Sequence, residues 1–386
     1  MQVDELLPFL KENKNKLVQS LRDGKYRSKP VRRVEIPKEN GKTRKLGIPT
    51  VVDRLIQQAI CQVISPIFEK QFSDNSLGFR PKRSAHDALK RCQTNITEGY
   101  KWVVDMDLEK YFDTVNQSKL IQILSETIED GRVISLIHKF LRAGVMVGGI
   151  FEDSPGVPQG GPLSPLLGNI MLNECDHELE RRGHRFVRYA DDLLIFCKSK
   201  KAATRTLAHI LPYIEGKLFL RVNWEKTQVA YVNKVKYLGY SFYIYKGEGR
   251  LRIHPKSVQK FKDKIREVTG RSNGMGIEAR KLRLNQVVRG WMNYFKLADA
   301  KNLLQGLDEW IRSRIRMVTW KRWKKNRTRF ENLKRLGIKE ERAWMWANTR
   351  KGYWRTAHSP TLLMTLSNER LKRAGYLSLM ECYSAK

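Results

Sequence analysis

FVRYADDLLIF, residues 186 to 196, decides how this 386-residue chain is read. Two short apolar runs flank a polar centre that ends in adjacent aspartates, which predicts a tight β-hairpin with Asp191 and Asp192 at its tip. Two carboxylates held rigidly between buried strands repel each other in a dehydrated corner, so a divalent cation is their natural partner. In an arbitrary chain such a pair is more often a solvated turn. Other stretches of this chain shift the balance. In WVVDMDLEKYFD, residues 102 to 113, the first seven residues alternate as a strand. Val103, Asp105 and Asp107 share one face, and Trp102, Val104, Met106 and Leu108 the other. Two acids on one face of an apolar strand invite a ligand role, and periodicity does not choose between Asp105 and Asp107.

In GVPQGGPLSPLLGNIML, residues 156 to 172, glycines at 156, 160 and 161 beside Gln159 let the backbone approach a ligand closely. Ser164-Pro165 reads as the N-cap and first turn of a helix. Its core stripe is Leu163, Leu166, Leu167, Ile170, Met171, Cys175 and Leu179. Upstream, Met1 to Leu21 reads as a helix, and KPVRRVEIPKENGKTRKLGIP as a basic hairpin turning at Asn40-Gly41. Gly41-Lys42-Thr43 is not a phosphate-binding loop, because Ile36 stands where its first glycine belongs and Pro49 interrupts the helix that should follow. Thr50 to Phe68 predicts an amphipathic helix with Val52, Leu55, Ile56, Ala59, Ile60, Val63, Ile64 and Ile67 on its core face. Arg80, Lys82 and Arg83 in SLGFRPKRSAHDAL read as solvated surface cations. Helices are expected from Ser118 to about Leu141, then two short strands around GVMVGGIFEDS. After residue 254 three further amphipathic helices are expected, in the regions of Phe261, Trp291 and Trp310.

The formal net charge is +34, from 74 Lys and Arg against 40 Asp and Glu, which calls for a polyanionic partner. Residues 251 to 386 carry 33 basic and 11 acidic side chains and seven of the nine tryptophans. Cations interleaved with aromatics suit phosphate contact and base stacking, whereas a membrane-surface helix needs one long segment with a clean basic face. The five cysteines are scattered without a zinc spacing and read as thiols of a reducing compartment. With no leader and no apolar run of spanning length, a soluble cytoplasmic protein without membrane attachment is expected.

PQGGPLSP and then FVRYADD, preceded by DMDLEKYFD and followed by VNWEK and KYLGYSF, resemble the reverse transcriptase of mobile group II introns, the intron-encoded maturase. The resemblance runs in order from about Arg32 to the C-terminus. It implies an α+β right-hand polymerase: fingers and a palm built on a split βαβ sheet, then an all-α thumb. The corresponding domains are 1–253 for fingers and palm, 254–322 for the thumb or maturase domain, and 323–386 for a basic DNA-binding region. It implies that Asp107, with the Leu108 carbonyl, Asp191 and Asp192 hold two Mg²⁺ ions about 3.5 to 4 Å apart, Mn²⁺ being an acceptable substitute. It implies that Lys38 and Arg44 hold the triphosphate, that Gln159 packs at the incoming deoxynucleoside triphosphate, and that Phe112 excludes a 2′-hydroxyl. Lys226 corresponds to a lysine proposed to protonate the leaving group, and Leu238-Gly239-Tyr240 to the primer grip. Arg289 and Lys296, and the cluster Lys321, Arg322, Lys324 and Lys325, are the nucleic-acid contacts expected in the basic C-terminal part.

Expected partners are intron RNA, an RNA template, a DNA primer or target and deoxynucleoside triphosphates. Relative to the family pattern the chain starts partway through the N-terminal region and carries no Cys/His-rich nuclease domain, so a priming 3′ end is expected from elsewhere. Two rival readings share the palm: a stand-alone bacterial reverse transcriptase of the retron or diversity-generating type, and an RNA-binding splicing factor whose palm has decayed.

Overall fold

The computed structural model describes residues 1–37, 41, 43–147, 150–152 and 156–384. They form two units, one of residues 1–235 with 244–249, the other of 236–243 with 250–386. In the first unit α1 (Leu6–Arg22) leads into a hairpin of β1 (Val31–Pro37) and β2 (Thr43–Ile48), paired antiparallel from Arg32↔Ile48 to Pro37↔Thr43. Helix α2 (Val51–Glu69) starts where the Thr50 hydroxyl accepts the Asp53 amide, and α3 (Ala85–Thr97) starts in a Ser84–Asp87 capping box. Strand β3 (Trp102–Met106), helices α4 (Tyr111–Thr114), α5 (Gln117–Ser125) and α6 (Gly131–Leu141), and the short strands β4 (Val145–Val147) and β5 (Ile150–Glu152) follow. Next come α7 (Ser164–Arg181), the hairpin of β6 (Arg185–Tyr189) and β7 (Asp192–Cys197), α8 (Lys200–Pro212) and β8 (Gln228–Tyr231).

Two sheets organise this unit. One has the order β2-β1-β4-β5, with β1 and β4 parallel through Val31↔Val145. The other has the order β6-β7-β3-β8 and is wholly antiparallel, a strand–helix–strand–strand–helix–strand arrangement of the split βαβ kind. Strand β3 lies inside this sheet, so Val103, Val104 and Met106 are buried on both sides. Helix α7 packs against α2, α5 and β6 and is buried nearly all round: every residue of its expected stripe is in the core, and so are Asn169, Asn173 and Asp176. Ser164 is the first helical residue rather than the cap, and its hydroxyl turns back to the Pro158 carbonyl at 2.6 Å.

Two surface expectations fail. Helix α2 buries Asp53, Ile56, Gln57, Ile64 and Phe68, while Val63 is 69% and Ile67 43% exposed. Burial of Asp53 is possible because its carboxylate is satisfied, accepting from the Tyr26 hydroxyl at 2.7 Å and from the Thr50 hydroxyl at the helix start at 2.5 Å. Arg80 is buried, not solvated. Its guanidinium pairs with Glu69 at 2.7 Å and caps the Ser73 and Ser76 carbonyls.

The second unit takes in β9 (Lys236–Tyr237), most of β10 (Tyr240–Tyr245) and the end of β11 (Glu248–Ile253), strands hydrogen-bonded in the order β11-β10-β9. It is otherwise helical: α9 (Pro255–Val268), α10 (Ile277–Phe295), α11 (Lys301–Arg322), α12 (Asn326–Arg335), α13 (Glu340–Ala347), α14 (Tyr353–Ala357), α15 (Pro360–Thr365), α16 (Asn368–Arg373) and α17 (Leu379–Ser384). Residues beyond 322 are tied into the same unit by Asp308 of α11, a buried carboxylate that accepts the Ser378 hydroxyl at 2.5 Å and the Leu379 and Met380 amides at 2.8 and 3.0 Å. Arg316 adds a bond to the Leu366 carbonyl at 2.9 Å.

Candidate active site

The antiparallel register carries the acids to one end of the β6-β7-β3-β8 sheet. Asp105 pairs with Leu194 of β7 on one side and Gln228 of β8 on the other, and its carboxylate accepts from the Gln228 amide at 3.2 Å. Asp107 stands just past the end of β3 in the grip of the 223–227 loop. Its carbonyl accepts the Asn223 amide at 2.8 Å, and its own amide donates to the Thr227 hydroxyl at 3.2 Å. One carboxylate oxygen, Oδ2, receives both the Asn223 side chain at 2.9 Å and the Lys226 ammonium at 2.8 Å. Leu108 bridges to Val222 beside it.

Asp192 opens β7 opposite Tyr189, so the turn proper is Ala190-Asp191, with Ala190 left-handed at φ +58°. Burial pushes the Asp192 carboxyl up to about 6, with repulsion from Asp191, Asp107 and Asp105 adding and Lys226 opposing. Solvent still reaches one side of the residue. The Asp105 carboxyl is raised as well, chiefly by burial and further by Asp107, against the Gln228 bond. Among the described residues, no three His, Cys, Asp or Glu side chains are gathered into a cage for a metal ion.

The turn is fixed from beneath by an ion pair that sequence reasoning did not single out. Arg188, 1% exposed, forks onto Asp176 of α7, 0% exposed, with N–O distances of 2.5 to 3.0 Å. Its remaining donor reaches Asn169 at 3.0 Å and the Ala190 carbonyl at 2.9 Å. The Arg188 backbone is pinned to Asn75 and Leu77, each at 2.9 Å. A side chain on Gly78 would collide with the Ala190 amide at 2.2 Å, so that segment lies directly on the turn. The signals were an arginine inside an apolar strand and an aspartate beside the apolar stripe of α7.

Of the other expected residues, Arg44 and Gln159 meet: the Arg44 Nε donates to the Gln159 side-chain oxygen at 3.0 Å, and the Gln159 carbonyl accepts the Gly47 amide at 2.6 Å. Lys38 lies outside the described residues. Phe112 is half-buried, its ring 5.2 Å from that of Tyr111 and close against Gly168 of α7, where a Cβ would stand 3.1 Å from it. Its carbonyl accepts the Val157 amide at 2.7 Å. Leu238, Gly239 and Tyr240 belong to the second unit, as do the basic residues. Arg289 on α10, Lys296 capping its C-terminal end, and Arg322, Lys324 and Lys325 are exposed. Lys321 instead commits its ammonium to the Arg271 carbonyl at 2.5 Å, which sets it apart from the rest of its cluster. Trp320 and Trp323 are buried packing residues, whereas Trp344 and Trp354 are exposed.

Residues 36–242, more than half of the chain, match the model of the reverse transcriptase (RNA-dependent DNA polymerase) family. The chain belongs to that family. Residues 258–337 match the group II intron maturase-specific domain, which makes this a reverse transcriptase of the group II intron type. Protein YkfC of Escherichia coli is 37% identical over 259 residues, covering 56% of this reverse transcriptase and 68% of YkfC. The group II intron-encoded protein LtrA of Lactococcus lactis is 33% identical over 299 residues, covering 60% of this chain and 50% of LtrA. This reverse transcriptase thus spans about half the length of LtrA. The apo telomerase of Candida tropicalis superposes with a TM-score of 0.48 at 14% identity, over 93% of this chain and 69% of that one. Reverse transcriptase domains generally depend on a divalent metal. Among the described residues no helix is long and apolar enough to cross a membrane.

Proposed function

We propose that this reverse transcriptase copies RNA into DNA at the Asp107–Asp191–Asp192 end of its sheet and binds a folded intron RNA through its maturase-specific domain, assisting splicing and mobility. The observation that carries the polymerase half is the convergence of acids on one end of the sheet, where burial, with repulsion from Asp191, Asp107 and Asp105 adding, raises Asp192, and a lysine is already drawn to Asp107. An all-oxygen donor set under such repulsion fits a hard divalent cation such as Mg²⁺. Asp107, the Leu108 carbonyl, Asp191 and Asp192 would hold it. When bound, that cation supplies charge neutralisation at the phosphates and a more acidic primer 3′-hydroxyl.

The chain's own part is positioning and electrostatics. Asn223 and Lys226 orient Asp107, and the Lys226 ammonium, paired with that carboxylate at 2.8 Å, would offer a proton to the departing pyrophosphate. Arg44, braced by Gln159, is a cation for the triphosphate. Phe112 is held from three directions, by Tyr111, Gly168 and Val157, which gives it the rigidity that a ring discriminating between sugars requires. The intron-RNA half is supported by the net charge of the C-terminal part and by the exposed Arg289 on α10 and Lys296 at its C-terminal end.

Splicing assistance needs only RNA binding, since its chemistry belongs to the RNA, whereas DNA synthesis needs the acids. Asp191→Asn should therefore abolish extension of a DNA primer on an RNA template and leave protein-assisted splicing intact. Substantial extension by that variant removes the assigned site. Loss of both activities together in a folded variant removes the maturase half and favours a stand-alone reverse transcriptase.

A further inference from the structure

Between β9 and β10 the chain turns through Leu238 and Gly239, both left-handed, at φ +48° and +81°. Glycine adopts that backbone freely, but leucine does so only when neighbouring groups hold it there. Three hydrogen bonds hold this turn from the helices that follow. The Tyr294 hydroxyl, on α10, donates to the Leu238 carbonyl at 2.8 Å. The Ser257 hydroxyl, on α9, donates to the Gly239 carbonyl at 2.8 Å, and the His254 amide reaches the same oxygen at 3.2 Å. Space is as tight as the bonding: a Cβ on Gly239 would stand 3.2 Å from the Ser257 hydroxyl and 3.3 Å from the Phe295 ring. The next residue closes the loop, since the Tyr240 hydroxyl donates to the Tyr294 carbonyl and its ring lies 5.0 Å from that of Phe295. Every one of these residues lies in the second unit.

We propose that Tyr294 is a positioning residue for the primer 3′ end, acting by fixing the Leu238 carbonyl and with it the backbone of the Leu238-Gly239-Tyr240 turn. This rests on the reading of that turn as the primer grip. Tyr294 is partly exposed, and its ring is already packed edge-on against Phe295 at 4.9 Å, so packing alone would be served by phenylalanine. The hydroxyl adds a polar hold on a backbone that would otherwise relax. Arg289 lies on the same helix as Tyr294 and Lys296 caps its C-terminal end, so RNA gripped there and the turn at the primer terminus are tied to one helix.

The test compares Tyr294→Phe with Gly239→Ala in primer extension, duplex binding, intron-RNA binding and thermal unfolding, using the full chain. Tyr294→Phe removes one hydrogen bond and keeps the ring. Its kcat at saturating primer–template should fall about tenfold, with Kd for duplex and for intron RNA within twofold of wild type and the melting temperature unchanged. Gly239→Ala should lower kcat further, and Leu238→Ala replaces it if that variant does not fold. Wild-type extension by Tyr294→Phe, beside a crippled turn variant, overturns the role of Tyr294 and leaves the grip standing. Wild-type extension by the turn variants removes the grip reading and the proposal with it. A parallel fall of kcat, both affinities and melting temperature in Tyr294→Phe marks the tyrosine as merely structural.

Discussion

Replacing Arg188 by methionine should expose how much of the active-site turn depends on one buried pair. The substitution strands the Asp176 carboxylate at 0% exposure with no guanidinium. Uncompensated buried charges of this kind cost about 3 to 5 kcal/mol. Protonation sets a ceiling: neutralising an ordinary carboxyl costs about 4 kcal/mol at pH 7 but only about 1.5 kcal/mol at pH 5. The lost bonds to Asn169 and Ala190 add about 1 kcal/mol each. For a unit of this size the total corresponds to a melting temperature lowered by about 10 to 20 °C at pH 7. In the variant the folded-state carboxyl is raised above its unfolded value, so the deficit should shrink as pH falls towards 5.

Pairing Arg188→Met with Asp176→Leu removes both charges and should recover most of the lost stability, as replacing whole buried pairs by apolar groups commonly does. Extension should not recover, because the Ala190 carbonyl then lacks its guanidinium donor and the turn that aims Asp191 loses that side-chain hold. Thermal unfolding at pH 5 and pH 7, beside primer extension, reads both effects. A single variant with wild-type melting at pH 7, or a double variant with the wild-type extension rate, refutes the argument.

Two more outcomes follow from the same geometry. Burial, with repulsion from Asp191, Asp107 and Asp105, pushes the Asp192 carboxyl up to about 6, above the usual carboxylate range, so metal-free stability should fall as pH rises from that range through 6 and stay lowered above it. Since solvent reaches Asp192, the effect is discounted to about 1 to 2 kcal/mol. Asp192→Asn should raise the metal-free melting temperature at pH 7 by a few degrees and blunt the further rise on adding Mg²⁺; identical pH profiles of wild type and variant would count against the repulsive cluster. Phe112→Ala should raise ribonucleotide incorporation relative to deoxynucleotide incorporation by at least tenfold, and an unchanged ratio would take Phe112 out of the nucleotide site.

What was legible in the sequence had short-range causes. The 186–196 hairpin follows from two short apolar runs about a polar centre, and the stripe of α7 from a period that its surroundings respect on every side. What was illegible depended on specific partners that periodicity does not encode. Val63 and Ile67 fit the period of α2 but lost the core face to Asp53 and Gln57, because Tyr26 and Thr50 meet the first of these. Arg80 read as a surface cation until Glu69 and two carbonyls closed round it. Alternation left Asp105 and Asp107 equivalent. They differ in the loop from Asn223 to Thr227, more than a hundred residues downstream, which wraps only the second. The expected boundary at residue 253 marked the change from strand to helix periodicity, but strand residues 236–243 group with α9 and α10.

That interleaving has a consequence for synthesis on the ribosome. The chain crosses between the two units near residues 235, 243 and 249, so neither is a contiguous stretch of sequence. Residues 236–243 emerge before the helices they fold with, and Tyr240 waits about fifty residues for Tyr294 and Phe295. At ordinary elongation rates that interval is roughly 3 to 10 s. Throughout it a segment bearing Tyr237, Tyr240 and Phe242, all buried in the finished protein, has no core to enter. Holdase chaperones, or the pace of translation across the codons for residues 244 to 295, therefore become determinants of yield, and a chain released near residue 253 would leave that segment permanently unmatched.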